Sequence, residues 1–260
     1  MKPRIAVHKF SSCDGCQLAF INLGEDLVRL SQQVEIIHFA EAGYLDESAH
    51  VDIAFVEGSL STPHEIERIH QVRENSDYLI TIGACATSGG LQALRNLADN
   101  SADWVPAVYA RPEYIATLDK VKPIAKEVKV DLELWGCPVN SRQVMAAVTS
   151  LLLGVSPRDD REKLCMECKR KQAVCVMVTK DMPCLGPVTR AGCGAVCPSF
   201  ERDCYGCFGP AERPNTTSLG QRLAGLGLVP DELVRRFWQI NSGAPAFLMA
   251  GAAWKEKDDE

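Results

Sequence analysis

The sequence predicts an α/β fold in which a doubly wound parallel sheet precedes a small, irregular, cysteine-rich domain with helices at its carboxyl end. Two observations lead to this prediction. Five short apolar segments alternate with helical patterns over residues 1–155, and eight of the twelve cysteines lie between residues 165 and 207. Strands that alternate with helices are typical of βαβ units and a parallel sheet, here of the flavodoxin-like type. We therefore expect two domains, residues 1–155 and 156–260.

The predicted elements of the first domain follow from apolar spacing. The expected strands are residues 4–10, 34–40, 52–57, 78–82 and 130–136. Leu18, Ile21 and Leu27 recur at near-helical spacing, which predicts a helix over 17–33, and Pro63 marks the start of another. We expect further helices that end near Leu97 and that cover 141–153, with an irregular stretch over 98–128.

The second half has a different character. Residues 156–162 are charged and turn-prone, which indicates a boundary. Residues 163–214 show little regular patterning, so we expect them to bury little apolar core and to depend on inorganic cross-links. Helical patterns return at 217–227 and 230–239, where Pro230 opens a first turn, and residues 254–260 are expected to form a frayed, solvated end.

Composition argues against several classes of protein. A formal net charge of −6 disfavours a nucleic-acid surface, and no apolar run is long enough for a membrane span. The first residues enter a strand pattern without the apolar core of a signal peptide, which predicts a cytoplasmic protein. Thiols stay reduced there, so clustered cysteines favour metal binding over a disulfide scaffold.

Four cysteines are expected to meet at one edge of the sheet. Cys13 and Cys16 follow the first strand, Cys85 follows the fourth and Cys137 the fifth. In a parallel sheet the carboxyl ends of the strands share one edge, so these loops predict a metal site. A thioredoxin-like CxxC redox pair is the alternative for the first loop, although it leaves Cys85 and Cys137 without a role.

The cysteine count and its context favour iron–sulfur clusters over zinc. Two zinc sites of four cysteines each are compatible with the eight later cysteines, and their CxxC pairs suit zinc knuckles. However, CGAVCP (193–198) has a ferredoxin-type Cys-x3-Cys-Pro ending, and Pro or Gly-Pro follows several cysteines. Twelve cysteines make three sets of four, which indicates an electron relay.

As a set, CDGC (13–16), VEGS (56–59), GACATSGG (83–90), WGCP (135–138) and the cysteine motifs of 183–210 resemble the small subunit of [NiFe] hydrogenases. The resemblance covers residues 1 to about 215. It is closest to the delta subunit of cytoplasmic, cofactor-linked hydrogenases or sulfhydrogenases and to methyl-viologen-reducing relatives.

The resemblance implies three [4Fe–4S] clusters. The implied ligands of the proximal cluster are Cys13, Cys16, Cys85 and Cys137; those of the distal cluster are Cys165, Cys168, Cys175 and Cys184; those of the medial cluster are Cys193, Cys197, Cys204 and Cys207. Periplasmic members have a histidine where Cys165 stands and a three-iron medial cluster, whereas this chain supplies a fourth medial cysteine. Ferredoxin-like runs can also ligate crosswise, which leaves other partitions of the last eight cysteines open.

Side chains near these motifs have weaker assignments. Glu57, in VEGS, is at a position that in the family lies near the subunit contact, so a proton-relay or interface role competes with a solvated loop acid. Thr87 and Ser88 either cap the next helix, which we favour, or donate to the cluster. The five histidines (8, 38, 50, 64 and 70) are expected to be structural rather than ligands.

The implied function is electron transfer in a reversible H2-oxidising enzyme. The resemblance places the nickel–iron site on a separate large subunit, so no catalytic residue is expected here. Electrons then pass to flavin and iron–sulfur reductase subunits that reduce NAD(P)+. Alternative acceptors are F420, a viologen-type acceptor or a heterodisulfide reductase. A subunit of a complex I-like quinone oxidoreductase and a zinc-stabilised scaffold are the remaining alternatives.

Overall fold

A six-stranded sheet forms the centre of the amino-terminal part. The computed structural model describes residues 2–98, 104–157 and 162–258. The strands are β1 (Arg4–Lys9), β2 (Glu35–Phe39), β3 (Tyr44–Leu45), β4 (Val51–Glu57), β5 (Ser76–Ile82) and β6 (Leu132–Leu134). They lie in the order β3-β2-β1-β4-β5-β6, and every neighbouring pair is parallel except β2 and β3. The five parallel strands confirm the predicted flavodoxin-like order, and the two-residue β3 was not predicted.

Twelve α-helices lie within the described residues. They are α1 (Gly15–Ile21), α2 (Glu25–Gln33), α3 (Pro63–Glu74), α4 (Gly83–Ser88), α5 (Trp104–Val108), α6 (Ser141–Leu152), α7 (Leu164–Arg170), α8 (Val176–Thr179), α9 (Val196–Ser199), α10 (Thr216–Ala224), α11 (Pro230–Trp238) and α12 (Pro245–Asp258). A 3-10 segment, Gly90–Leu97, follows α4. None of the described helices is long and apolar enough to cross a membrane.

The sheet is buried on both faces, as its nearly continuous apolar strands require. In β1, Val7 packs into one core with Phe20 of α1 and Val144 of α6. Its neighbour Ala6 points to the other face, where the core includes Ile69 of α3. The strands therefore hold their carboxyl ends in fixed positions at one edge.

The helix starts predicted at Pro63 and Pro230 are confirmed, and side-chain caps support the starts of α3 and α6. Pro63 opens α3, and Thr62 and Glu65 form a reciprocal capping box before it. Asn140 caps α6 in the same way, together with Gln143. These caps pair backbone N–H groups that have no partner inside the helix.

Four predicted elements were wrong in extent. The helix expected to end near Leu97 stops at Ser88 and is followed by the 3-10 segment Gly90–Leu97, and the strand expected over 130–136 is reduced to Leu132–Leu134. The helix expected over 17–33 is interrupted between α1 and α2, where Gly24 has φ +57°. The end expected to be frayed from residue 254 continues α12 to Asp258, and Trp254 packs so closely on Gly220 of α10 that no Cβ would fit there. The packing of the Trp254 indole holds the end of α12 in place although charged residues follow it.

The carboxyl-terminal part has an apolar core, contrary to our expectation. Leu164, Val176 and Leu185 from the cysteine-rich segment pack with Leu223 of α10 and Phe237 of α11. The error came from considering 163–214 alone, because the three last helices supply the apolar side chains that cover it. The division into domains at 155/156 stays a prediction, since residues 158–161 lie outside the described part of the chain.

Candidate metal-cluster sites

The first group of cysteines lies at the carboxyl edge of the sheet. Cys13 follows β1 and Cys137 follows β6, whereas Cys16 and Cys85 lie within the first turns of α1 and α4. Our expectation that all four would lie in loops was therefore wrong for two of them. The structure nonetheless brings the four sulfurs together. Beyond the effect of burial, the charges of Cys137 and Cys13 add to the raised pKa of Cys85, and those of Cys85 and Cys137 add to the raised pKa of Cys16, so these thiols are neighbours.

Burial raises the pKa of the thiols of Cys16, Cys85 and Cys137, so these three resist ionisation. It is the main reason that the pKa of Cys85 is raised to about 11 and that the pKa of Cys16 is raised further. A thioredoxin-like nucleophile needs the opposite, a lowered pKa, so Cys16 of the CDGC motif does not suit that role. Bound metal stabilises thiolates and releases their protons, so the group fits a metal centre.

Glycines let the backbone approach the sulfurs of this group. Gly83 has φ +84°, and a Cβ there would overlap the sulfur of Cys16. A Cβ on Gly90, which has φ +57°, would lie 2.6 Å from the sulfur of Cys85. The N–H of Val139 points at the Cys16 sulfur at 3.4 Å. The backbone thus surrounds the sulfurs closely, and side chains in place of these glycines would occupy the space beside them.

Glu57 links the first group to the end of β4, the strand beside β1 in the sheet. It ends β4, and its two carboxylate oxygens accept hydrogen bonds from the N–H groups of Cys16 and Gln17, each at 3.0 Å. The side chain is buried, so the solvated-loop interpretation was wrong. Burial raises the pKa of Glu57 despite these bonds. Glu57 therefore occupies the first amides of α1.

The second group comprises Cys165 and Cys168 of α7 together with Cys175 and Cys184. The pKa of Cys168 is raised to about 11 by burial and by the nearby sulfurs of the other three. Two backbone N–H groups, those of Gly186 and Cys204, point at the sulfur of Cys184 at 3.4 and 3.3 Å. Such contacts stabilise a ligating thiolate and tune the potential of a cluster.

The third group lies between the other two. Its members are Cys193, Cys197, Cys204 and Cys207. Burial raises the pKa of Cys207 to about 12, and the sulfurs that add to the shift include Cys137 of the first group. On the other side, burial raises the pKa of Cys204, and the nearby Cys184 of the second group raises it further. The three groups therefore form a continuous series.

The spacing of the sulfurs does not suit single zinc ions. Among the described residues, the one set of three potential ligands whose ligand atoms all lie within 4.8 Å of one another is His8, His38 and Glu47. No three cysteine sulfurs in the same part of the chain meet that limit. Tetrahedral zinc with bonds of about 2.3 Å needs sulfurs about 3.8 Å apart. The wider groups suit a larger, polynuclear centre. All twelve cysteines are free thiols, so a disulfide scaffold is excluded.

The set of His8, His38 and Glu47 lies away from the cysteines. The two rings stack at 4.7 Å between β1 and β2, and both are buried. The guanidinium of Arg68 contacts Glu47 and also donates to the carbonyl of Lys9. Because that positive charge repels a bound cation, the site is better suited to packing than to metal binding.

Thr87 and Ser88 do not cap the next helix, so our preferred interpretation was wrong. The hydroxyl of Thr87 donates to the carbonyl of Gly83 at 3.1 Å, and the hydroxyl oxygen of Ser88 lies 2.9 Å from the carbonyl of Ala84, each four residues back. Gln92, whose Oε1 accepts from the thiol of Cys85 at 3.2 Å, was not predicted as a site residue. No local pattern marks such a residue, because its role depends on the turn that returns it to α4.

The chain is similar in sequence to proteins of known function. Residues 13–151 match the family described as NADH ubiquinone oxidoreductase, 20 Kd subunit. Sulfhydrogenase 2 subunit delta from Pyrococcus furiosus is 33% identical over 233 residues, which cover 90% of this chain and 96% of the relative. A subunit of the vhu F420-non-reducing hydrogenase from Methanocaldococcus jannaschii is 30% identical, with 81% of this chain and 83% of the relative covered.

A solved structure is similar over a shorter span. A chain of an NAD+-reducing [NiFe]-hydrogenase, crystallised in the H2-reduced state, superposes with a TM-score of 0.56 and 27% identity. The match covers 96% of that chain but 61% of this one. More than a third of the present chain therefore extends beyond its match to that chain.

Proposed function

We propose a function from the premise that the chain belongs to the family of the NADH ubiquinone oxidoreductase 20 Kd subunit, in the branch that holds the small subunits of sulfhydrogenases and F420-non-reducing hydrogenases. The chain is the electron-relay small subunit of a cytoplasmic [NiFe] hydrogenase. It carries electrons in either direction between a large subunit, where H2 reacts, and a module that meets the final acceptor.

The proposed relay has three [4Fe–4S] clusters. The proximal cluster is held by the first group of cysteines (Cys13, Cys16, Cys85 and Cys137), the medial cluster by the third group (Cys193, Cys197, Cys204 and Cys207) and the distal cluster by the second (Cys165, Cys168, Cys175 and Cys184). Each cluster, when bound, supplies a site that takes up and releases one electron.

The exposure of the cysteines supports this proposal most directly. Cys13 and Cys137 are exposed in the first group, Cys175 is exposed in the second, and none of the four in the third group is exposed. A relay needs to be open to partners at both ends and shielded in the middle. We infer that the large subunit covers the edge near Cys13 and that the acceptor module approaches near Cys175.

The residues around the sulfurs shield and orient them. Phe208 and Trp135 are buried beside the third and first groups, so they keep water from the region between them. N–H groups aimed at sulfur stabilise the thiolate form and raise the affinity for an added electron. The chain thereby sets the order and relative potentials of the three sites rather than taking part in H2 cleavage.

The proposed acceptor is NAD(P)+, reached through flavin and iron–sulfur reductase subunits. The similarity to an NAD+-reducing enzyme supports this choice, although it spans only part of the chain. The similarity to a subunit of an F420-non-reducing hydrogenase over 81% of the chain favours, as a second candidate, a partner that uses a viologen-type or heterodisulfide acceptor. A zinc scaffold is disfavoured by the sulfur spacing, and a quinone-reducing role by the eight additional cysteines.

A Cys16→Ser variant of the intact complex tests the relay. The variant is expected to lose most H2-dependent reduction of NAD(P)+ while hydrogen–deuterium exchange, a reaction of the large subunit alone, partly survives. The unfolding midpoint and subunit composition are measured in parallel. Equal loss of both reactions in an intact complex would contradict the proposed entry point. The second acceptor is supported if reduction of viologen, but not of NAD(P)+, is found in the wild type.

A further inference from the structure

Glu167 lies in the sequence of the second cysteine group, but its carboxylate contacts the loop around Cys193 of the third group. Glu167 belongs to α7, inside the CMEC motif of the second group. Its Oε1 accepts from the N–H of Gly192 at 3.0 Å, and its Oε2 accepts from those of Gly194 and Ala195 at 3.0 and 3.2 Å. These three donors surround Cys193, the first cysteine of the third group.

The loop that supplies the donors has an unusual backbone. Gly192, Gly194 and Ala195 all have positive φ, at +130°, +70° and +51°. Residues in such conformations can point their N–H groups into one concave, anion-binding nest. Ala195 is not a glycine, so its left-handed conformation costs about 1 kcal/mol and needs support from its surroundings. The carboxylate of Glu167 fills the nest and provides that support.

The same carboxylate lies close to a ligand sulfur. Oε2 is 3.9 Å from the sulfur of Cys193, at a place where the second and third groups adjoin. An acidic side chain in the first turn of a helix commonly interacts with the positive end of that helix's dipole, and it would then face the amides of α7 itself. Glu167 instead directs both oxygens to the loop, so its contacts link the two groups.

We propose that Glu167 is a positioning residue that couples the two C-terminal cluster sites. It fixes the conformation of the loop around Cys193, and its negative charge disfavours an added electron in that neighbourhood. The inference rests on the proposed function, since it concerns residues that would hold the medial and distal clusters.

Two substitutions separate the contributions of shape and charge. Glu167→Ala empties the nest, so we expect loss of the third-group cluster, about four of twelve irons per chain. Glu167→Gln retains the size but presents an NH2 group to one of the N–H donors and removes the charge. We expect it to retain more iron and to shift upward the midpoint potential of at least one C-terminal cluster in an EPR-monitored redox titration.

Glu201→Gln is the matched control. Its carboxylate is exposed and pairs with Lys180, and the substitution makes the same change in net charge near the same segment. We expect its iron content and potentials to equal those of the wild type. Thermal unfolding of the complex shows whether each variant is folded; if Glu167→Ala does not fold, the potentials of Glu167→Gln decide.

Wild-type iron content and unchanged potentials in both Glu167 variants would overturn the inference. An equal shift in Glu201→Gln would overturn it as well, because the effect would then be one of general charge. A wild-type chain without iron would instead contradict the proposed function itself, so the two failures are distinguishable.

Discussion

The hydroxyl of Ser88 donates to Oδ1 of Asn241 at 2.8 Å, although 153 positions separate the two residues. Ser88 ends α4, the helix that carries Cys85, and Asn241 lies between α11 and α12. The amide of Asn241 in turn donates to the carbonyl of Gly206, inside the CYGC motif, at 2.8 Å. One buried side chain therefore connects the first and third cysteine groups.

Removal of that connection should destabilise the protein. We expect Asn241→Ala to lower the free energy of unfolding by about 1–3 kcal/mol, because it removes two buried hydrogen bonds, one to Ser88 and one to Gly206, each worth about 0.5–1.5 kcal/mol. Anaerobic urea unfolding measures the loss. The adjacent Ser242→Ala is the control: Ser242 is equally buried but its hydroxyl has no partner, so we expect a change within about 0.5 kcal/mol. Equal stabilities of the two variants would contradict the role of Asn241.

Gly83 should tolerate no side chain. Gly83→Ala combines a left-handed backbone (φ +84°) with a Cβ that overlaps the Cys16 sulfur, so we expect loss of iron from the first group. Gly43→Ala has nearly the same φ, +83°, with no atom within 4 Å, so it should cost about 1 kcal/mol of strain and no iron. Iron analysis of both variants checks this. Equal iron contents would show that the space around Cys16 does not matter.

Glu57 should stabilise the loop that carries Cys16. Glu57→Ala leaves two amides of α1 without acceptors, so we expect the free energy of unfolding to fall by about 1–3 kcal/mol and iron at the first group to decrease. Glu57→Gln, which keeps one acceptor oxygen, should lose less. Glu41→Ala serves as control, because that carboxylate only approaches Lys9 at 3.9 Å on the surface. A smaller loss in Glu57→Ala than in Glu57→Gln would contradict the assignment.

His8 should make the protein sensitive to mild acid. Burial, together with His38 and Arg68, lowers the pKa of His8 from 6.5 to about 3. Between these values the unfolded chain binds one proton more than the folded chain, so stability falls as the pH falls through this range. We expect His8 to account for about 1 kcal/mol of the stability lost between pH 7 and pH 5.5. Urea unfolding of His8→Gln should show a correspondingly smaller loss, and an unchanged pH dependence would contradict the shift.

Local patterns were sufficient to predict most of the sheet and the position of the first cysteine group. Strands β1, β4 and β5 have dense apolar runs, and parallel topology then places the residues that follow them at a common edge. The cysteines at those positions could be grouped without knowledge of any side-chain contact.

The supporting contacts could not be predicted, because they join distant positions. Glu57 meets Cys16 across 41 positions, and Glu167 meets Ala195 across 28. Each acid has an unremarkable local setting, at a strand end or in a first helical turn. Their roles arise only when folding brings a set of unpaired N–H groups to them. The extent of α12 was missed for a similar reason, since Trp254 is fixed by its packing on α10.

The metal content of the anaerobically purified complex tests the central claim most directly. Three [4Fe–4S] clusters predict a brown protein with about twelve iron and twelve sulfide ions per copy of this chain, after subtraction of the iron in its partners. The EPR spectrum on reduction should also show interacting clusters. A colourless chain with stoichiometric zinc and no sulfide would contradict the relay.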